Sequence, residues 1–139
     1  MSDRESIKTT ANDRAKFAYE CVKKVCENQD EEFRKNYKSY SKKLMAMIKI
    51  NGFGATLAFM KGSFQKKGGK AYKELYNNID TWLKLRSCPV SSFYNNAEGR
   101  DMVEKVLSLE SDSYRVITKE VMEFINWIRR FAEGMIMDD

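Results

Sequence analysis

The sequence predicts an all-α protein, a single compact bundle of about six helices with a short buried central helix and a long C-terminal helix. Three observations carry this expectation. Apolar residues recur at three- and four-residue spacing nearly end to end. One proline and seven glycines in 139 residues leave little of the turn chemistry that hairpin-linked strands require. Apolar content of 42%, with 12% aromatic, is ample for the core of one domain spanning 1–139, a length that buries roughly two-thirds of its unfolded surface.

The first helix is expected from about Asn12, whose side chain suits a cap, with residues 1–11 flexible before it. Ala15, Ala18, Val22 and Val25 share one of its faces. Asp30 or Glu31 opens a second helix, with Phe33, Tyr37, Tyr40, Leu44, Met47 and Ile48 on one side. Asn51-Gly52 stops it, Gly52 taking the left-handed position after the last turn. Phe53 to Phe64 forms a short third helix, apolar at Phe53, Leu57, Met60 and Phe64. Gly54, Ala58 and Gly62 on its other face permit close helix approach, so this segment is expected to be the buried central element. GSFQKKGGK (62–70) reads as a mobile basic connection. A fourth helix buries Ala71, Tyr72, Leu75, Tyr76, Ile79, Trp82 and Leu83 and is ended by Pro89. Ser91–Gly99 is expected to be a loop. Met102, Val103, Val106 and Leu107 mark a fifth helix. The sixth runs from about Ser113 to Ile136, with Tyr114, Ile117, Val121, Phe124, Ile125, Ile128 and Met135 inward.

Charge is segregated. From Arg34 to Lys73 the chain carries eleven of its 25 Lys/Arg and none of its 20 Asp/Glu, so a net charge of +5 divides into +11 there and −6 elsewhere. Solvated helix faces ordinarily mix Glu with Lys to gain i,i+4 pairs. An acid-free field of this length instead attracts a polyanion, of which nucleic acid is the usual one. With Phe33 at zero on a helical wheel, Lys35, Lys38, Lys42 and Lys49 fall between about 140° and 200°, a narrow ladder away from the apolar side. The last helix sets Arg115, Lys119, Asn126 and Arg130 opposite its apolar centre, with Arg129 at the boundary and Glu120, Glu123 and Glu133 mixed in. Val116 and Trp127 lie off the apolar stripe, where a tryptophan serves as an interface anchor.

Several classes of chemistry find no residues here. There is no histidine, so no imidazole base, no catalytic triad and no histidine metal pair are available. Gly52-Phe53-Gly54 lacks the third glycine of the dinucleotide fingerprint, and Gly69-Lys70 lacks the first glycine and the Ser/Thr of a phosphate loop. No converging carboxylates, no cofactor and no metal are expected, and an enzyme is not. The odd count of cysteines (Cys21, Cys26, Cys88) points to reduced thiols. No apolar run reaches the ~20 residues of a membrane span, and Met1–Thr10 lacks a signal-peptide core. A soluble cytoplasmic protein is expected.

Two segments, NGFGATLAFMKG (51–62) and SDSYRVITKEVMEFINWIRRFAEGM (111–135), resemble the small all-helical subunit of the type III-B CRISPR effector, the Cmr complex. RAKFAYECVKKV (14–25) and AYKELYNNIDTWL (71–83) extend the resemblance over nearly the full length. It implies a non-catalytic part of an antiviral ribonucleoprotein, stacked with copies of itself beside the backbone subunits that hold guide RNA, close to the paired target RNA. Partners would be the backbone and large subunits and the RNA, with no small-molecule substrate. Lys61, Arg115 and Arg130 sit inside the family-like motifs. Lys35, Lys38, Lys42, Lys43, Lys49 and Arg129 join them as candidate RNA contacts. Val116 and Trp127 are the candidate partner interface. Two alternatives stay open at this point: a pure protein–protein assembly adaptor, and a free-standing non-specific nucleic-acid-binding helical protein.

Overall fold

In the computed structural model, the backbone of residues 3–137 and the side chains of residues 9–137 are described. The described chain is all-α and contains seven helices: α1 (Asp3–Cys26), α2 (Glu31–Asn51), α3 (Phe53–Ser63), α4 (Gly69–Lys84), α5 (Ser91–Asn96), α6 (Met102–Leu107) and α7 (Ser111–Met135). The long helix α7 is the spine, with α1 and α2 packed along it and touching each other little. α4 lies across α2 and α3, α5 closes against α4, and α6 against α3.

The helix starts and stops follow local chemistry. Asp30 caps α2 by accepting from the Phe33 amide at 3.2 Å, and Asp101 caps α6 through the Glu104 amide at 2.9 Å. Gly52 separates α2 from α3 with φ 89° and ψ 161°, an extended positive-φ conformation essentially reserved for glycine, in place of the left-handed one expected. Its amide donates to Ile48 O at 2.9 Å and closes α2. Its carbonyl accepts from the Thr56 amide and, at 2.8 Å, from Thr56 Oγ1, opening α3.

Three expectations change. α1 is already helical at Asp3, because no proline or glycine interrupts residues 3–26 and Asn12 continues the helix rather than capping it. Met1 and Ser2, where the expected flexible lead begins, lie outside the described residues. α4 ends at Lys84, with Leu85 extended, several residues before Pro89. The Ser91–Gly99 loop contains α5, bringing the helices to seven. Ser and Asn disfavour this helix by propensity, but Tyr94 is fully buried and its hydroxyl donates to Asp80 at 2.5 Å. Tertiary anchoring overrides propensity there.

The core of α3 is Phe53, Leu57 and Met60, all at most 1% exposed. Of its small residues, only Gly54 is covered. A Cβ there would lie 3.1 Å from Leu107 Cδ2, so α6 approaches as closely as a glycine permits. Ala58 and Gly62 face outward, and nothing lies within 4 Å of a Cβ at Gly62.

Candidate nucleic-acid interface

Beneath the surface of α1 and α7 lies a charged network. The Arg14 guanidinium meets Glu120 in a fork, Nε to Oε2 and Nη2 to Oε1, both at 2.6 Å. Trp82 Nε1 donates to the same carboxylate at 3.0 Å. Both charged side chains are under a tenth exposed, and the hydrogen bond to Glu120 raises the Arg14 pKa. Phe17, Trp82 and Phe124 form an aromatic triangle beside it, with centroids 5.8–5.9 Å apart. A signal for the pair was present in the sequence. Arg14, Ala18, Val22 and Val25 follow helical spacing on one stripe, and Glu120 sits at the edge of the Ile117–Val121–Phe124 stripe. A charge on an apolar stripe requires a buried opposite partner.

Where α1 and α2 diverge over α7, a groove of about 760 Å³ opens. Arg14, Lys49, Arg115, Lys119 and Arg130 line it with a single carboxylate, Glu123. Glu123 is held by Arg14 at 3.3 Å. Lys49, Arg115, Lys119 and Arg130 form no ion pair among the described residues. Trp127 forms a half-buried wall, stacked on Phe131 at 5.7 Å with the Arg130 guanidinium 5.4 Å from its ring. The Thr118 hydroxyl in this lining is buried with no hydrogen-bond partner among the described residues.

Of the residues singled out in the sequence, the groove gathers Lys49, Arg115, Arg130 and Trp127. Lys119 and Arg14 join them unanticipated as site residues. The rest of the ladder is differently occupied. Lys35 pairs with Glu31 at 2.9 Å, Lys38 donates to Ile136 O at 3.1 Å, and Lys42 pairs with Glu133 at 2.6 Å. The wheel placed these lysines away from the core, and Lys35 and Lys42 are indeed about half exposed. The buried residues of α2, Tyr37, Ser41, Leu44 and Ile48, turn the buried direction about 40° toward them, so Lys38 and Lys42 reach the end of α7 while Lys35 pairs within α2. Ser41 is tolerated inside because its hydroxyl donates to Lys38 O at 2.7 Å.

Elsewhere, Lys61 pairs with Asp101 on α6. Lys43 stands 5.4 Å from the Tyr40 ring, and Arg129 donates to Asn126 at 2.7 Å. Val116, 47% exposed, borders a depression with Pro89, Val90 and the half-exposed Phe93 that adjoins the groove and shares Ala11, Arg14, Lys119 and Glu123 with it. Val116 and Trp127 thus lie in adjoining depressions, about 16 Å apart along α7.

The thiols are quiet. Burial pushes Cys21 and Cys88 up to about 12, and all three cysteines are unpaired. Among the described residues no group of three His, Cys, Asp or Glu is placed to hold a metal ion, and no helix is long and apolar enough to cross a membrane.

Comparison with known proteins adds the family. A protein from Thermus thermophilus named CRISPR system Cmr subunit Cmr5 is 27% identical over 120 residues, covering 86% of this chain and 92% of that protein. The crystal structure of a CRISPR-associated Cmr5 family protein from the same organism superposes with a TM-score of 0.70 at 25% identity, covering 93% of this chain and 99% of that one. Residues 10–135 match the family described as CRISPR-associated protein (Cas_Cmr5), a span that contains the Arg14–Glu120 network, the groove and the Gly52 junction, and the chain belongs to that family.

Proposed function

We propose that this chain is the small, non-catalytic subunit of a Cmr-type RNA-guided effector in the cytoplasm, serving antiviral defence. In this reading it stacks beside the backbone subunits and contacts the guide–target RNA through the α1–α2–α7 groove. The observation that carries the RNA contact is the set of four cations without an ion pair among the described residues, Lys49, Arg115, Lys119 and Arg130, around the half-buried Trp127. Such a groove neutralises phosphates and offers a ring to a base. A polar ligand there would also supply the partner that Thr118 lacks. Arg129, Lys43, Lys61, Lys35, Lys38 and Lys42 lie outside the lining of that groove.

Membership of a multi-subunit complex agrees with the second surface. Val116 and Phe93 leave apolar area exposed beside the groove, and an apolar depression rimmed by polar groups marks a protein contact. Reconstituted complex carrying Lys49→Gln, Arg115→Gln and Arg130→Gln is the test. Each lost phosphate contact on a single strand removes about 0.7 from the log–log salt slope, so three should flatten it by about 2. Unchanged slope with failed assembly would instead favour a pure adaptor. RNA cleavage abolished by a point substitution in this chain would refute the non-catalytic role.

A further inference from the structure

The acid-free window of the sequence is only partly absorbed by the groove. Its remaining aromatic and basic residues meet on another face, built by α2, α3 and α4. Tyr40 and Tyr72 stack at 3.9 Å with planes 4° apart. Lys43 stands 5.4 Å from the Tyr40 ring centroid, and Phe59 presents its edge to Tyr72 at 5.4 Å. The 66–70 turn adjoins them. A Cβ at Gly68 would come within 2.7 Å of the Tyr40 hydroxyl, so this turn lies directly on the tyrosine pair. Lys66, Lys67 and Lys70 are exposed on it and form no ion pair among the described residues. On α2, Tyr40 and Lys49 project about 180° apart at 100° per residue, so this face is not the groove.

Phe59 is the outermost member, 49% exposed. Its helical neighbours Ala55, Ala58 and Gly62 are exposed too and too small to cover it. This accounts for the small-residue face that packs against no other helix. The Tyr40 and Tyr72 rings cover one another, so Phe59 is the ring with area left for a flat ligand.

We propose that this face is a second RNA contact, at which Phe59 stacks a base of a single strand while Lys43 and the lysines of the 66–70 turn hold its phosphates. The proposal rests on the reading that the chain contacts RNA, but it uses none of the groove residues. Asp30 and Glu32 line the depression beside the 66–70 turn, but among the described residues they form no ion pair with its lysines. Cations beside an exposed ring fit single-stranded nucleic acid, whose binding combines base stacking with phosphate neutralisation.

The test measures binding of the full chain to a single strand of about 12 uridines and to an abasic phosphodiester strand of the same length. Phe59→Ala should weaken binding to the uridine strand about tenfold and leave the abasic strand unaffected, with Phe59→Trp retaining affinity. Helical circular dichroism checks that the variants fold, as they should at so exposed a position. Equal affinity of Phe59→Ala and the unsubstituted chain for the uridine strand overturns the proposal. So does an equal loss on both strands, or unchanged RNA affinity with lost binding to purified partner subunits, which would make the face a protein contact. The groove variants separate the two readings. If Arg115→Gln with Arg130→Gln lowers uridine binding and Phe59→Ala does not, the groove stands and this face falls. If the unsubstituted chain binds neither strand, both fall.

Discussion

The ladder on α2 and the groove over α7 have the same kind of charge and opposite fates. Lys35, Lys38 and Lys42 are spoken for by Glu31, the end of α7 and Glu133, whereas Lys49, one turn or more beyond them on the same helix, opens into a groove with Arg115, Lys119 and Arg130. The difference lies in what stands across the seam. Near its C-terminus α7 presents Glu133 and unsatisfied carbonyls, natural partners for cations. Near its N-terminus it presents Arg115 and Lys119, and the charges there reinforce each other. A lysine is therefore useful to a polyanion according to its neighbour, and its own direction is a weaker guide.

The largest expected effect tests the buried ion pair beneath the groove. Arg14→Met should cost about 3–5 kcal/mol in urea unfolding, because Glu120 would be left buried without its ion-pair partner. Adding Glu120→Leu should recover much of that loss, as apolar replacements of buried pairs do. A loss in the double variant as large as in the single one would show that the network contributes more than its charge balance.

Gly52→Ala follows, at about 1–3 kcal/mol of backbone strain, read from the midpoint of thermal unfolding. A Cβ would also meet the Tyr114 hydroxyl at 3.3 Å, the group that accepts from the Gly54 amide at 2.9 Å. Because this junction positions the end of α2 beside the start of α7, RNA affinity should fall together with stability.

Asp101 illustrates a third fate, a carboxylate serving a helix cap and a lysine at once. The Glu104 amide and then the Lys61 ammonium hold its pKa below the ordinary value. That stabilisation is complete above the unfolded value of about 3.9 and is lost as pH falls through the lower folded one. Asp101→Ala should cost about 1 kcal/mol at neutral pH. The gap from the unsubstituted chain should narrow as pH drops from about 4 to about 2, as followed by circular dichroism melts. A gap independent of pH would remove the carboxylate from the account.

The smallest effect sharpens the comparison most directly. Glu133→Gln should release Lys42 with little change in melting, and the freed lysine, if it reaches a phosphate, should steepen the RNA salt slope by about 0.7. No steepening would mean that the ladder lies off the RNA path even when its cations are available.

Much of the fold was legible because helix periodicity, the Asp30 cap and the Asn51-Gly52 stop are local signals whose positions the tertiary structure keeps. α5 was not, since only the burial of Tyr94 stabilises a helix in a Ser/Asn-rich segment. The candidate site was half legible. Arg115, Arg130 and Lys49 were named as RNA contacts and the structure brings them to one groove, together with Trp127, which the sequence had marked as a partner-interface anchor. Arg14 and Glu120 escaped because each was read on its own helix, where one carries a charge on an apolar stripe and the other lies at a stripe's edge. Their meaning appears only as a pair.

By itself, the sequence determined that the chain is helical, where several helices stop, and that positive charge gathers between Arg34 and Lys73. Periodicity, capping and composition are properties of neighbouring residues along one strand of backbone. Only the tertiary structure decided which cations are neutralised, that the small face at Ala58 and Gly62 meets no other helix, and that Val116 and Trp127 border adjoining depressions. A helical wheel gives a direction about one axis. Solvent exposure and electrostatic partnership depend on what the other axes bring to that side, and a burial axis turned toward Ser41 is enough to bring Lys38 and Lys42 within reach of the end of α7.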